Sequence, residues 1–253
     1  MSAHGKLYLV PNTLDFGMAG AEVDLQDVLP LRAIRVAAAL GHWVAENAKT
    51  TRAFLKRIDA IEPLAQPLQS LQIAELPRPP KGGGPAPAAD WSALLAPALA
   101  GHDLGLISEA GLPAIADPGA QLVAAAHARG LEVVPLSGPS SLLLALAASG
   151  LNGQSFAFVG YLPVDAAART ARIRELEALS ARQQQTQLMI ETPYRNGALL
   201  QALLAALKPQ TRLSVSCGLS LAQGFTHSAT VAQWRSQPRS LPDKVPAVFA
   251  LLA

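Results

Sequence analysis

Two short words near the middle of the chain hold the residues best suited to gripping a ligand. Ser108-Glu109-Ala110-Gly111-Leu112-Pro113 follows the apolar run Leu104 to Ile107, and Ser137-Gly138-Pro139-Ser140-Ser141 follows Leu131 to Leu136. In each, Gly and Pro bring the backbone close to whatever lies above a strand end. The next helix then opens with unpaired N–H groups that can meet polar atoms. Between the two words, Asp117-Pro118-Gly119 reads as a helix start, with Asp117 as N-cap, Pro118 in the first helical position and Gly130 as the stop. This equipment binds and positions. Other chemistries lack their residues: His4, His42, His102, His127 and His227 show no metal-ligand spacing, and a single cysteine forms no structural zinc pattern. There is no Walker A run, no G-x-G-x-x-G fingerprint and no G-x-S-x-G elbow, so the expectation is a site without metal.

The order of the words says more than any one of them. ISEAGLPAIADPG, then PLSGPSSLLLALAASGL, then FAFVGYLP are preceded by Leu7-Tyr8-Leu9-Val10-Pro11 and followed by Glu191-Thr192-Pro193-Tyr194-Arg195. This series resembles the tetrapyrrole-methylase superfamily, and within it the ribosomal RNA small subunit methyltransferase I group. That group's words are near S-D-A-G-T-P-x-I-S-D-P-G, P-G-P-S-A, F-x-G-F-L-P and E-S-P-H-R. The resemblance implies a two-domain α/β fold, with a mostly parallel sheet in the N-terminal domain and a mixed sheet in the C-terminal one. It implies S-adenosyl-L-methionine as cofactor, leaving as S-adenosyl-L-homocysteine, held between the domains by loops at the carboxyl ends of strands. The implied contacts are Pro11, then Glu109, Ala110, Gly111, Leu112, Pro113 and Ile115, then Ser140 and Ser141, Glu191 and Thr192, Cys217 and Gly218, and Pro246 and Ala247. The implied activity is methyl transfer to RNA, on ribose or base, by a homodimer. A tetrapyrrole or corrin methylase and a non-catalytic binding module are the alternatives.

Methyl transfer from a sulfonium is positioning chemistry and needs no covalent enzyme intermediate. A ribose hydroxyl acceptor must still lose a proton, and Glu109, Glu46, Asp15 and Asp117 are the acids near the implied site. Glu109 is the first choice as catalytic base, because the relatives carry a shorter acid there, while Asp117 has the competing job of helix cap. On the substrate side the sequence departs from the group. The loop after the first strand is shortened to Asn12-Thr13-Leu14-Asp15, Asn47 replaces an acid, and Leu71 to Glu75 and Leu219 to Leu221 lack the expected polar character.

The elements that must position these residues follow from periodicity. Strands are expected at Lys6 to Val10, His42 to Glu46, Leu68 to Ile73, Leu104 to Ile107, Leu131 to Leu136, Phe156 to Val159, Gln187 to Glu191, Leu213 to Cys217 and Val245 to Leu252. A hairpin is expected near Gly224 to Thr230. Helices are expected after Asp24 or Asp27, over Thr51 to Ile61, Trp91 to Leu99, Asp165 to Gln184 and Asn196 to Leu207. The chain of 253 residues, half of them apolar, can bury two cores, with domains expected at 1–152 and 153–253 and an exposed Pro/Gly loop near 76–90. A net charge of +2 permits nucleic acid without demanding it. One cysteine fits a reducing compartment, and no apolar run reaches membrane-spanning length, so a cytoplasmic protein without membrane contact is expected.

Overall fold

A computed structural model describes residues 4–15, 23–77 and 90–253, and the chain divides into two compact units, Met1–Pro139 and Ser140–Ala253. The Pro/Gly loop expected near 76–90 falls almost wholly outside the described residues.

The first unit carries a five-stranded parallel sheet in the order β3-β2-β4-β1-β5, from β1 (Leu7–Leu9), β2 (His42–Ala45), β3 (Gln72–Glu75), β4 (Leu104–Ile107) and β5 (Val133–Pro135). Alternation along β2 sends Trp43 and Ala45 to one face and Val44 to the other. On the first face α1 (Leu25–Val28), α2 (Leu31–Ala39) and α3 (Ala48–Asp59) cover the sheet with Ile34, Phe54, Leu55 and Ile58. On the second, α4 (Trp91–Leu99) and α5 (Ala120–Ala128) do so with Leu95 and Leu122. Both faces are buried, as parallel sheets require. Asp24 caps α1 through the Gln26 N–H, and Pro30 splits the expected helix in two. The third strand begins later than its apolar pattern suggests, because Leu68–Ser70 closes into a 3₁₀ turn first.

The second unit opens with α6 (Ser141–Ser149). Its mixed sheet, in the order β6-β7-β10-β8-β9, is built from β6 (Phe156–Tyr161), β7 (Thr186–Glu191), β8 (Arg212–Cys217), β9 (Phe225–Thr230) and β10 (Ala247–Leu252). Only β6 and β7 pair in parallel, and β8 with β9 forms the expected hairpin. One face is covered by α7 (Ala166–Gln183), α8 (Asn196–Ala206) and α9 (Val231–Ser236), with Met189, Phe249 and Trp234 in the core. On the other face, Leu142, Ala145 and Leu146 of α6 pack on Leu188, Val248 and Ala250. This packing places the change of unit at Pro139–Ser140, one helix earlier than the boundary expected after 152, because α6 buries its apolar stripe on the second sheet.

Candidate functional site

In the first unit, the loops that follow β1, β4 and β5 are sewn together. Asn12, buried, pairs its backbone with Gly111, the N–H donating to the Gly111 carbonyl at 2.8 Å. Its side-chain amide donates to the Ser108 and Glu109 carbonyls, both at 3.1 Å. Gly111 takes φ +67°, a left-handed conformation that glycine adopts at least cost. A Cβ on Gly138 would lie 2.2 Å from the Cβ of Pro11, so the loop after β5 rests directly on Pro11. Asn12 therefore ties the loop after β1 to the Glu109–Pro113 word by hydrogen bonds, and its neighbour Pro11 ties it to the loop after β5 by close contact.

The acids divide by role. Asp15 is almost fully buried and salt-bridged to Arg57 at 3.2 Å, and it also accepts from the Thr13 hydroxyl and the Val23 N–H. It is a structural clamp. Glu46 accepts the Glu109 N–H at 3.0 Å, and the Glu109 carboxylate accepts from the Asn47 amide at 3.1 Å. Asn47 also caps α3, accepting from the N–H groups of Lys49 and Thr50. The cap explains why α3 starts at Ala48 rather than near Thr51, and amide and acid are equally good caps. Only the amide can also donate to Glu109.

Asp117 is not the helix cap that its Pro-Gly sequel suggests. Helix α5 begins at Ala120 behind Gly119, whose φ of +128° ends an irregular turn. Ala114 and Ala116 in this turn are also left-handed, at φ +66° and +61°, each costing about 1–2 kcal/mol relative to ordinary backbone. The arrangement leaves the Asp117 side chain facing Glu46, Ser108 and Glu109. Burial, then the Glu46 charge, push its carboxyl up to about 7; Glu109 adds to the rise and a Ser108 hydrogen bond opposes it. A carboxyl poised there can hold or release a proton at neutral pH. Ile115, in the same turn, keeps half of its apolar surface exposed.

In the second unit the candidate residues are strand ends in register. Ala247 stands opposite Glu191 on one side and Cys217 on the other, and the Gly218 N–H donates to the Pro246 carbonyl at 2.9 Å. Gly218 is left-handed at φ +63°. Glu191, buried, accepts on one oxygen from the Thr192 N–H and hydroxyl and from Arg195, whose Nη2 lies at 2.7 Å. These bonds fold the turn after β7. Cys217 is buried and its thiol is pushed up by that burial, which fits a small core residue rather than a reactive one. Ser140, buried, precedes α6 without a side-chain capping bond, and Ser141 is the first residue of that helix. Asn12, Ser108, Asn47 and Arg195 organise these groups; the sequence words contain all four without assigning any of them this role, although an Asn directly before a helical run signals a cap. Among the described residues no cluster of His, Cys, Asp and Glu is placed to hold a metal, and no helix is long and apolar enough to cross a membrane.

The sequence pattern of the Tetrapyrrole (Corrin/Porphyrin) Methylases matches residues 24–233. A "Ribosomal RNA small subunit methyltransferase I" of Mesorhizobium japonicum is 38% identical over 137 residues, covering 54% of this chain and 45% of that protein. The protein of the same name from Halalkalibacterium halodurans is 31% identical over 203 residues, covering 80% and 61%. The chain thus spans about half the length of curated relatives it matches. Among solved structures, a uroporphyrin-III-C-methyltransferase from Thermus thermophilus superposes with a TM-score of 0.52 at 19% identity, over 98% of this chain and 92% of that one. The methyltransferase CobJ gives 0.56 at 14%, over 97% and 93%. At such identities the likeness is one of fold.

Proposed function

The chain belongs to the tetrapyrrole (corrin/porphyrin) methylase family, and from that premise we propose that it is an S-adenosyl-L-methionine-dependent methyltransferase acting on RNA. The observation that carries the reading is the acid-rimmed turn after β4, where Glu46, Glu109 and Asp117 gather beside a left-handed glycine. The residues fit the cofactor: small side chains and open backbone suit close approach, and carboxylates suit a ligand bearing a sulfonium and an ammonium. Glu109 to Pro113 are the groups of the first unit that would hold it. When bound it supplies an electrophilic methyl group. The protein's part is to orient the acceptor and to take its proton.

Asp117 suits that last task better than Glu109, since the Glu109 carboxylate is engaged by Asn47 while Asp117 is raised to about 7. A base near the working pH is the efficient one. RNA is favoured as acceptor class by the two curated relatives named above, and a homodimer in the cytoplasm accompanies that reading. The test is transfer of labelled methyl from S-adenosyl-L-methionine to fractionated cell RNA by the purified full chain. Label in nuclease-sensitive material is expected. Cofactor binding without label in any RNA fraction would sink the RNA reading, and light scattering at the 26.3 kDa of one chain would sink the dimer.

A further inference from the structure

Five of the nine large hydrophobic side chains that stay exposed among the described residues belong to one short region of the second unit. They are Phe156, Phe158 and Tyr161 of β6, then Val164, then Tyr194 just beyond β7. β6 is an outermost strand, paired only with β7. Edge strands ordinarily carry charge or proline to discourage association. Here the strand carries rings.

The face those rings occupy is set by a single irregularity. Phe156 stands opposite Thr186 and Phe158 opposite Leu188, so both share the face of Leu188, which α6 covers farther in. Continued without a break, the register would put Tyr161 opposite Glu191, on the other face with Val159. Instead it slips, and Tyr161 stands opposite Ile190. Gly160, at φ +72°, absorbs the extra residue; a Cβ there would meet nothing within 4 Å, so backbone conformation rather than space calls for glycine. The bulge turns Tyr161 onto the same face as the two phenylalanines. The three rings are 42%, 37% and 57% exposed.

Positions two residues apart on a strand lie about 7 Å apart, a spacing over which an extended single strand of nucleic acid can lay successive bases on aromatic rings. Charge points to the same occupant. From Ser140 to Ala253 there are ten Lys and Arg against five Asp and Glu, a balance of +5, whereas the preceding residues have ten against thirteen, a balance of −3. Two of the arginines stand at the carboxyl end of the aromatic strip. Arg169 donates to the Val164 carbonyl while its buried Nε has no partner, and the Arg195 guanidinium lies 5.8 Å from the centre of the Tyr194 ring.

We infer that the acceptor RNA lies as a single strand along the outer edge of the second sheet, stacking bases on Phe156, Phe158 and Tyr161 and running toward Tyr194. The inference rests on the RNA reading above and gives it a surface. It is tested with the full chain by fluorescence anisotropy of a labelled single-stranded oligouridine. The double variant Phe158→Ala/Tyr161→Ala is expected to bind about thirtyfold or more weakly, corresponding to about 1–3 kcal/mol for each of two stacked bases. Tyr161→Phe, which keeps the ring, should stay within about twofold of the parent, while Tyr161→Leu, which keeps only apolar bulk, should weaken binding nearly as much as alanine. Cofactor affinity by calorimetry and solution mass by light scattering should not change. No oligonucleotide binding by the parent, undiminished binding by the double variant, full retention with Tyr161→Leu, or a change in solution mass marking the strip as an interface between copies would each overturn it. A parent that binds RNA through these rings but methylates none would keep this surface and overturn the proposed function instead.

Discussion

In the first unit the candidate residues sit on loops beyond the strands, whereas in the second Glu191, Cys217 and Ala247 are terminal residues of the strands themselves. The difference shows in how each group is held. Gly111, Ala114, Ala116 and Gly119 hold the first unit's turn in left-handed backbone, and a cluster of acids including one near neutrality lines it. Ala247, Glu191 and Cys217 are instead fixed by ladder register, and the one buried acid among them is pinned by an arginine. One region gathers a carboxyl raised toward neutrality; the other is held by ladder pairing and one ion pair. Opposite net charges, −3 and +5, accompany the division.

Substitutions can break this contrast. Gly138→Ala should have the largest effect, because its Cβ would lie 2.2 Å from Pro11 and one loop would be forced off the other. A loss of about 3 kcal/mol, the upper end for overpacking, is expected in urea unfolding. Gly153→Ala, with nothing within 4 Å, should stay within about 0.5 kcal/mol. Arg195→Ala comes next. It strands the Glu191 carboxylate, whose side chain is 3% exposed, and should cost about 2–3 kcal/mol by the same measurement.

Asp117→Asn should act in the opposite direction. The folded carboxyl is raised from its ordinary value of 3.8 to about 7, so the folded state binds the extra proton and its stability falls as pH rises between those values. The amide removes that loss. A gain of about 1–2 kcal/mol, discounted for solvent screening, is expected at pH 8, with little difference at pH 4. Melting curves for both proteins across this range check it, and a stabilisation confined to acid would contradict it. Asn47→Asp should have the smallest effect. The cap survives, but a carboxylate replaces the amide that donates to Glu109, and about 0.5–1 kcal/mol should be lost at pH 8. Adding salt should recover part of it if the loss is charge repulsion.

The elements were largely legible because both sheets obey simple patterns: apolar runs ending in Gly or Pro for the buried parallel strands, and caps such as Asp24 and Asp165 for helices. What was not legible depended on partners distant in sequence. Asp117-Pro118-Gly119 has the composition of a helix start, yet the turn before it consumes those residues, and nothing local shows that Ala114 and Ala116 are left-handed. The stretch Leu142-Leu143-Leu144-Ala145-Leu146 is apolar on every side, so its sequence could not say which sheet α6 would join. Asn47 read as a loss of acid; its compensating bond to Glu109 spans 62 residues. The register slip at Gly160 likewise needs the neighbouring strand to be seen.

The strand order of the second sheet has a consequence for its assembly. β10 is the last of its strands in chain order, yet it stands in the middle, with β7 on one side and β8 on the other. While the chain is being synthesised, the β6–β7 pair and the β8–β9 hairpin can each form, but they have no direct pairing to one another until residues 247–252 emerge. Until then two ladder edges remain open, and open edges are where chains cross-pair and aggregate. Assembly of this sheet is therefore gated by its latest strand, a non-local step that slows folding. The nascent chain is most vulnerable, and most in need of a chaperone's cover, in the interval just before that strand arrives.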